Sequence, residues 1–155
     1  MQHRIGQGYD CHLLSKHRQS SQIRLGGINI LSKYQIVAHS DGDVVLHAIS
    51  NAILGTIQKG DIGEYFPDID PQNRGLNSTI ILKHVLKLLR QAKYQIVNID
   101  LTIQCQNIYL MEHKRNIAIS ISKLTKCSLV NVKATRFEQP TSLIACNVII
   151  LTKRR

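Results

Sequence analysis

Apolar residues recur along this chain with two different periods, and the places where the period changes mark its elements. Residues 3–14 read as a first strand, the polar stretch 14–22 as a loop, and Ile23–Ile30 as two short β segments about the Gly26-Gly27 pair. Helical spacing then takes over. Val44, Val45, Ala48, Ile49, Ala52 and Ile53 recur at three- and four-residue steps, with Ser40 or Asp41 available as a cap and Gly55 as a stop. Residues 60–71 are rich in Gly, Pro and acidic residues and read as a loop of the kind that holds polar substrates on a rigid scaffold. Ser78 is expected to cap a second helix, with Ile80, Ile81, Val85, Leu88 and Leu89 inward and Lys83, His84, Lys87 and Arg90 outward. Tyr94–Gln106 alternates as a strand through Ile99, Leu101, Ile103 and Cys105. Tyr109–Leu124 is a third helix, and Val130–Phe137 and Leu143–Thr152 are the last two strands, joined by residues 138–142.

That order, β, hairpin, α, α, β, α, β, β, predicts one α+β domain spanning residues 1–155. The expected architecture is a mixed β-sheet with helices layered on one face. Two strands adjacent at the end of the chain would leave sheet edges that want covering, which assembly of several copies provides.

Bulk composition narrows the class. A chain of 155 residues with 43% hydrophobic and 19% charged residues suits a soluble globular protein with a proper core. No apolar run approaches the roughly 18 residues needed to cross a bilayer, and the opening MQHRIGQGYDCH lacks the layout of a secretion signal, so an intracellular protein is expected. The four cysteines (Cys11, Cys105, Cys127, Cys146) show no C-x-x-C spacing, which argues against disulfides and against a cysteine-only metal site. A formal charge of +10 favours anionic partners. The basic residues are dispersed, however, and two Phe with no Trp offer little for base stacking, which speaks against a nucleic-acid module.

Candidate chemistry sits in two short stretches, Gly8-Tyr9-Asp10-Cys11-His12 and Ala38–His47. On a strand, Asp10 and His12 leave the same face while Cys11 leaves the other. At the head of a helix, Asp43 and His47 share a face. If the strand end meets the start of the helix, Asp10, His12 and His47 converge as one carboxylate and two imidazoles. Three such ligands with a fourth position open describe a catalytic zinc site rather than a structural one. A lone D-x-H is more often a surface Asp beside scattered histidines; two matching stretches in one small chain weaken that reading. His3, His17, His84 and His113 are expected on the surface.

With these residues the sequence resembles the 2-C-methyl-D-erythritol 2,4-cyclodiphosphate synthase family of the non-mevalonate isoprenoid pathway. The matching motifs are G-Y-D-C-H, A-H-S-D-G-D-V-x-L-H-A at 38–48, G-D-I-G at 60–63, F-P-D-x-D-P at 66–71, and V-N-V-K-A-T followed by Glu138. The resemblance implies a cytoplasmic enzyme (or one in a plastid-like compartment) that closes a cyclic diphosphate and expels CMP from a cytidine diphosphate substrate. It implies a homotrimer with active sites between subunits and no membrane partner. Zinc would be held by Asp10, His12 and His47, and a magnesium or manganese ion by Glu138. His39, with Ser40, would lie beside the phosphates and act as a transition-state donor. The substrate would meet Asp10, Cys11 and His12, then Asp61, Ile62, Gly63, Phe66, Pro67, Asp68, Ile69 and Asp70 at its methylerythritol end. Met111, Ala134 and Thr135 would receive the nucleotide, with Arg136 standing where the family carries a small hydroxyl residue.

The nucleotide half departs from the family pattern. Arg136 and Phe137 intervene before Glu138, the Gly-rich loop after it is shortened to residues 139–143, and the Pro and Lys usual in the 105–111 stretch are absent. Asn51 stands where an Asp is common. A working enzyme with a remodelled pocket, a catalytically weakened one, and a non-catalytic metal-binding trimeric relative all remain open on these residues.

Overall fold

The structure, a computed structural model, describes residues 2–155. Five strands form one mixed sheet: β1 (His3–Leu25), β2 (Ile28–Val37), β3 (Tyr94–Cys105), β4 (Val130–Thr135) and β5 (Leu143–Arg154), in the order β2-β1-β5-β3-β4. Among the described residues only the β3–β4 pair is parallel; it is joined through helix α4 (Lys114–Thr125), as a parallel crossover requires. The other helices are α1 (Val44–Thr56), the single turn α2 (Ile62–Tyr65) and α3 (Ser78–Gln91). An α+β layering over a mixed sheet was the expectation, and the architecture agrees with it.

Several boundaries differ from the sequence reading for physical reasons. The stretch 14–22 is strand rather than loop: β1 runs on to Leu25 and pairs with β2 in a long ribbon, with an irregularity between Lys16 and Ser21. The ribbon buries Leu14, Ile23, Leu25 and Ile30 at its two ends, but its polar segment between Leu14 and Ile23 projects beyond the core and so carries no apolar alternation to read. Its turn is Gly26-Gly27, both at positive φ (62° and 82°), the conformation that matches strand twist in a two-residue hairpin. β4 and β5 are not neighbours: β3 lies between them, and β5 occupies the middle of the sheet. The edges are β2 and β4. In α3, Ile80 is 50% exposed while Ile81, Val85 and Leu89 are buried. Residues 109–113 precede α4 as a loop and a short 3-10 turn instead of joining it.

One apolar cluster fills the space between the sheet and the helices, with Leu46, Ile49, Ile53, Leu82, Ile99, Leu101, Ile103, Ile117 and Ile121 fully buried. α1 lies unusually close to β1. A Cβ on Gly6 would collide with the carbonyl of Ala52, and one on Gly8 with the carbonyl of Ala48. Glycine on the strand and alanine on the helix thus let backbone meet backbone. The even-numbered residues in the first half of β1 face the helix, so Asp10 and His12 follow Gly8 onto the same side. The opposite face of the sheet carries no helix and exposes Ile5, Tyr9, Leu13 and Ile149.

Asp43 caps α1. Its buried carboxylate accepts from Val45 N (3.1 Å) and Leu46 N (3.0 Å) at the helix start, and from Gly26 N (2.8 Å) and Gly27 N (2.7 Å) in the hairpin turn. The cap was expected at Ser40 or Asp41; Asp43 wins because it alone reaches both elements. Burial raises its carboxyl pKa, and the backbone donors work against that rise. Ser78 likewise is not the cap of α3: Asn77 takes that place, accepting from Thr79 N.

Replacing Asp43 with Ala is expected to destabilise the protein by about 3 kcal/mol or more, since a helix cap and several buried charge-assisted bonds are lost together. Urea denaturation checks this; a loss below about 0.5 kcal/mol, the ordinary surface range, contradicts the clamp.

Candidate metal centre

The first half of β1 and the first turns of α1 place three ligand groups together. Nδ1 of His47 lies 3.0 Å from Oδ2 of Asp10, and Nε2 of His12 lies 3.2 Å from the same oxygen. All three ligand atoms fall within 4.8 Å of one another. Two ligands on one tetrahedral zinc sit about 3.3 Å apart, given bonds of about 2.0–2.1 Å. The cluster therefore has the span of a site that shares one ion. His12 supplies a second indication: its Nε2 is buried and off the line a hydrogen bond to Asp10 needs, so it has no hydrogen-bond partner. One carboxylate and two imidazoles are donors that suit zinc, and they fit it here.

Electrostatics favour a cation between these groups. Burial opposes ionisation of Asp10, yet the close approach of the His12 and His47 imidazoles outweighs it and holds the carboxyl well below the usual carboxylate range. Burial likewise opposes charge on His47, but the bond to Asp10, helped by the charges of Asp10, Asp43 and Asp41, raises its pKa above the ordinary imidazole value. An ionised carboxylate only accepts hydrogen bonds. Nδ1 of His47 must therefore present either a proton or a metal to it.

The cluster opens into a cavity of about 700 Å³ between β1, α1 and the loop that carries α2. Its wall includes Asp10, Cys11, His12, His39, Ser40 and His47 on one side. Ile62, Gly63, Phe66, Pro67, Asp68 and Ile69 line the other. Asn51 also lines it, and its Oδ1 accepts from Ile62 N (3.0 Å), which ties α2 to α1. Asp61 and Asp70 turn their carboxylates to local backbone instead, capping α2 at Gly63 N and a 3-10 turn at Gln72 N. His84, expected on the surface, packs its ring against Tyr65 and Phe66 at 5.4 and 5.5 Å and so supports this wall from α3.

A second cavity of about 310 Å³ lies elsewhere on the chain, walled by residues 105–111 with Ala134, Thr135 and Arg136. Met111 belongs to it. Glu138 is exposed and lines neither cavity. The side chain of Gln106 braces the connection between β4 and β5, donating to Phe137 O (2.8 Å) and accepting from Thr141 N (3.0 Å). The expected site residues thus gather into two groups that share no wall.

Sequence reasoning missed Ser78 and Asp41. The Ser78 hydroxyl lies 2.8 Å from Nε2 of His47 and also bonds the Asp41 carboxylate, whose other oxygen accepts from Ser78 N (2.9 Å). Asp41 stands inside the motif that was read, but Ser78 lies 31 residues beyond His47, and no local pattern links them.

Residues 3–152 match the YgbB family. Among curated relatives, a 2-C-methyl-D-erythritol 2,4-cyclodiphosphate synthase from Mycoplasmoides gallisepticum is 49% identical over 148 residues, 96% of this chain and 95% of the relative. One of the same name from Ectopseudomonas mendocina is 44% identical over 138 residues, 88% of this chain and 86% of its own. Among solved structures, a 2C-methyl-D-erythritol-2,4-cyclodiphosphate synthase in its CDP-bound form superposes with a TM-score of 0.89 at 29% identity, covering 97% of this chain and 100% of that one. IspF of Plasmodium falciparum, in complex with CDP, gives 0.85 at 31% identity, covering 99% and 97%.

The two pKa shifts predict how pH acts on metal-free protein. A lowered Asp10 stabilises above its unfolded value of about 3.9 and fails as pH falls toward its folded value; a raised His47 stabilises below its unfolded value of about 6.5 and fails as pH climbs through its folded value. The pair is therefore worth most between roughly pH 4 and 6.5. The melting temperature of chelator-treated protein should fall between pH 6 and pH 9 by more than that of His47→Gln. Equal slopes in the two proteins would remove the ion pair from the account.

Proposed function

The chain belongs to the YgbB family, and from that premise we propose that it is a phosphorus–oxygen lyase of isoprenoid precursor synthesis. It converts 4-diphosphocytidyl-2-C-methyl-D-erythritol 2-phosphate to 2-C-methyl-D-erythritol 2,4-cyclodiphosphate and releases CMP. The observation that carries this reading is the Asp10–His12–His47 cluster opening into a cavity with His39 and Ser40 on its wall. The names of relatives at 44–49% identity supply the product, 2-C-methyl-D-erythritol 2,4-cyclodiphosphate.

In the reaction an oxygen of the 2-phosphate bonds to the β-phosphorus of the same molecule. The anhydride bond from that phosphorus to the α-phosphate oxygen breaks, and its electron pair leaves with CMP. The nucleophile belongs to the substrate, so the protein supplies position and charge. Asp10, His12 and His47 hold a zinc ion, which when bound polarises phosphoryl oxygen as a Lewis acid. His39 and Ser40 donate hydrogen bonds to the phosphates. Residues 61–63 and 66–70 enclose the methylerythritol end. Met111, Ala134 and Thr135 receive the nucleotide, Arg136 supplies positive charge at the reacting diphosphate, and Glu138, exposed beyond both cavities, would hold a magnesium or manganese ion brought in with the diphosphate. Arg136 keeps cationic charge in the second cavity although the 105–111 stretch contains no Lys.

The separation of the two cavities supports a homotrimer in which the nucleotide cavity of one subunit completes the metal cavity of the next. The helix-free face of the sheet, with Ile5, Tyr9, Leu13 and Ile149 exposed, supplies apolar surface for that assembly.

Zinc- and magnesium-loaded protein should release CMP from the substrate stoichiometrically with formation of the cyclic diphosphate, followed by phosphorus NMR. His39→Ala should lower kcat by about 100- to 1,000-fold with little change in KM, as loss of a transition-state donor does. Metal-loaded, trimeric protein that releases no CMP would be a non-catalytic metal-binding relative, and the enzymatic reading would fall.

A further inference from the structure

We infer that Ser78 and Asp41 are positioning residues that dictate which nitrogen of His47 faces the metal; this rests on the metal-binding reading above. The inference follows from counting protons. Oγ of Ser78 sits between two groups, Nε2 of His47 at 2.8 Å and the carboxylate of Asp41. A hydroxyl has one proton to give. The other neighbours of Asp41 are donors: the backbone N–H groups of Ser78 (2.9 Å) and Asp43 (3.2 Å), with Nε of Arg24 at 3.8 Å. Asp41 is thus an acceptor, and the Ser78 proton goes to it. Nε2 of His47 can then be satisfied at Ser78 only by donating its own N–H to the hydroxyl oxygen. The reverse arrangement leaves the Asp41 oxygen facing a lone pair.

A proton fixed on Nε2 leaves Nδ1 as the only nitrogen of a neutral imidazole with a lone pair. Nδ1 is the atom that faces Asp10 at 3.0 Å. The relay therefore presents His47 to the ion in its ligating tautomer and fixes the plane of its ring. Ser40 is the rival partner, but its hydroxyl lies 3.4 Å from Nε2 and already accepts from Gly42 N. The relay is held at both ends by backbone: Asp41 N donates to Leu76 O (3.1 Å) and Gly75 N to His39 O (2.7 Å), which zips the 39–43 segment to the start of α3. Ser78 is fully buried, so no water competes for its proton.

The test is nitrogen-15 NMR of the His47 ring combined with zinc affinity by chelator competition, on the full chain. Wild-type protein should show a protonated Nε2 and a zinc-bound Nδ1. Ser78→Ala, checked for folding by its circular dichroism, should weaken zinc binding by about 10- to 100-fold and let the neutral ring of the metal-free protein sample both tautomers. Zinc on Nε2 in the wild type, or unchanged affinity in folded Ser78→Ala, overturns the relay and leaves the metal site standing. Should Ser78→Ala not fold, the wild-type spectrum alone decides. Wild-type protein that takes up no zinc overturns the metal reading itself.

Discussion

Everything at the metal centre depends on how closely α1 lies against β1. Gly6 and Gly8 remove the side chains that would hold the two backbones apart, and Ala48 and Ala52 answer from the helix. Only at that spacing can Asp10, one residue pair further along the strand, meet His47 near the head of the helix at 3.0 Å. Interiors are too densely packed to absorb a misplaced methyl without displacing a neighbour. Any side chain at Gly8 would lift the helix and widen the gap between carboxylate and imidazole. The ligand geometry is thus set by residues that touch no ligand.

The same economy governs the second wall of the cavity. α2 is a single turn with no buried residue of its own, so it needs external anchors. Asn51 on α1 holds its first N–H, and His84 on α3 packs under Tyr65 and Phe66. The hydrophobic layer therefore reaches the site through two helices, and the loop between them is shaped by both. On the far side, Gln106 performs a similar service for the short β4–β5 connection, holding it at Phe137 and Thr141.

How much of this the sequence disclosed depends on the range of each interaction. Asp10 with His12, and the placement of His47 on a helix, follow from periods of two and four, and those periods survive any detail of packing. Ile23 and Leu25 were legible as strand because they are apolar and buried, whereas the polar segment between Leu14 and Ile23 was illegible because it projects beyond the core. The middle position of β5 was illegible because strand order is decided by the crossover through α4 rather than by adjacency in the chain. In the run Ser40-Asp41-Gly42-Asp43, three side chains could cap a helix; the choice was made by the hairpin turn, whose two N–H groups only Asp43 reaches. Ser78 lay beyond any local pattern. His84 read as outward-facing because helical spacing places it beside Lys83 and Lys87, and the α2 loop that covers it is invisible to that spacing.

The four donors that hold Asp43 are all main-chain amides, and this concentrates genetic risk on one codon. Residues 26, 27, 45 and 46 offer the same N–H whatever side chain they bear, proline excepted. Substitutions at those four positions can therefore accumulate while the anchor is kept. The acid itself is harder to replace, because asparagine in that place could still accept three of the four amides on its carbonyl oxygen but would turn its own N–H toward the Gly27 amide.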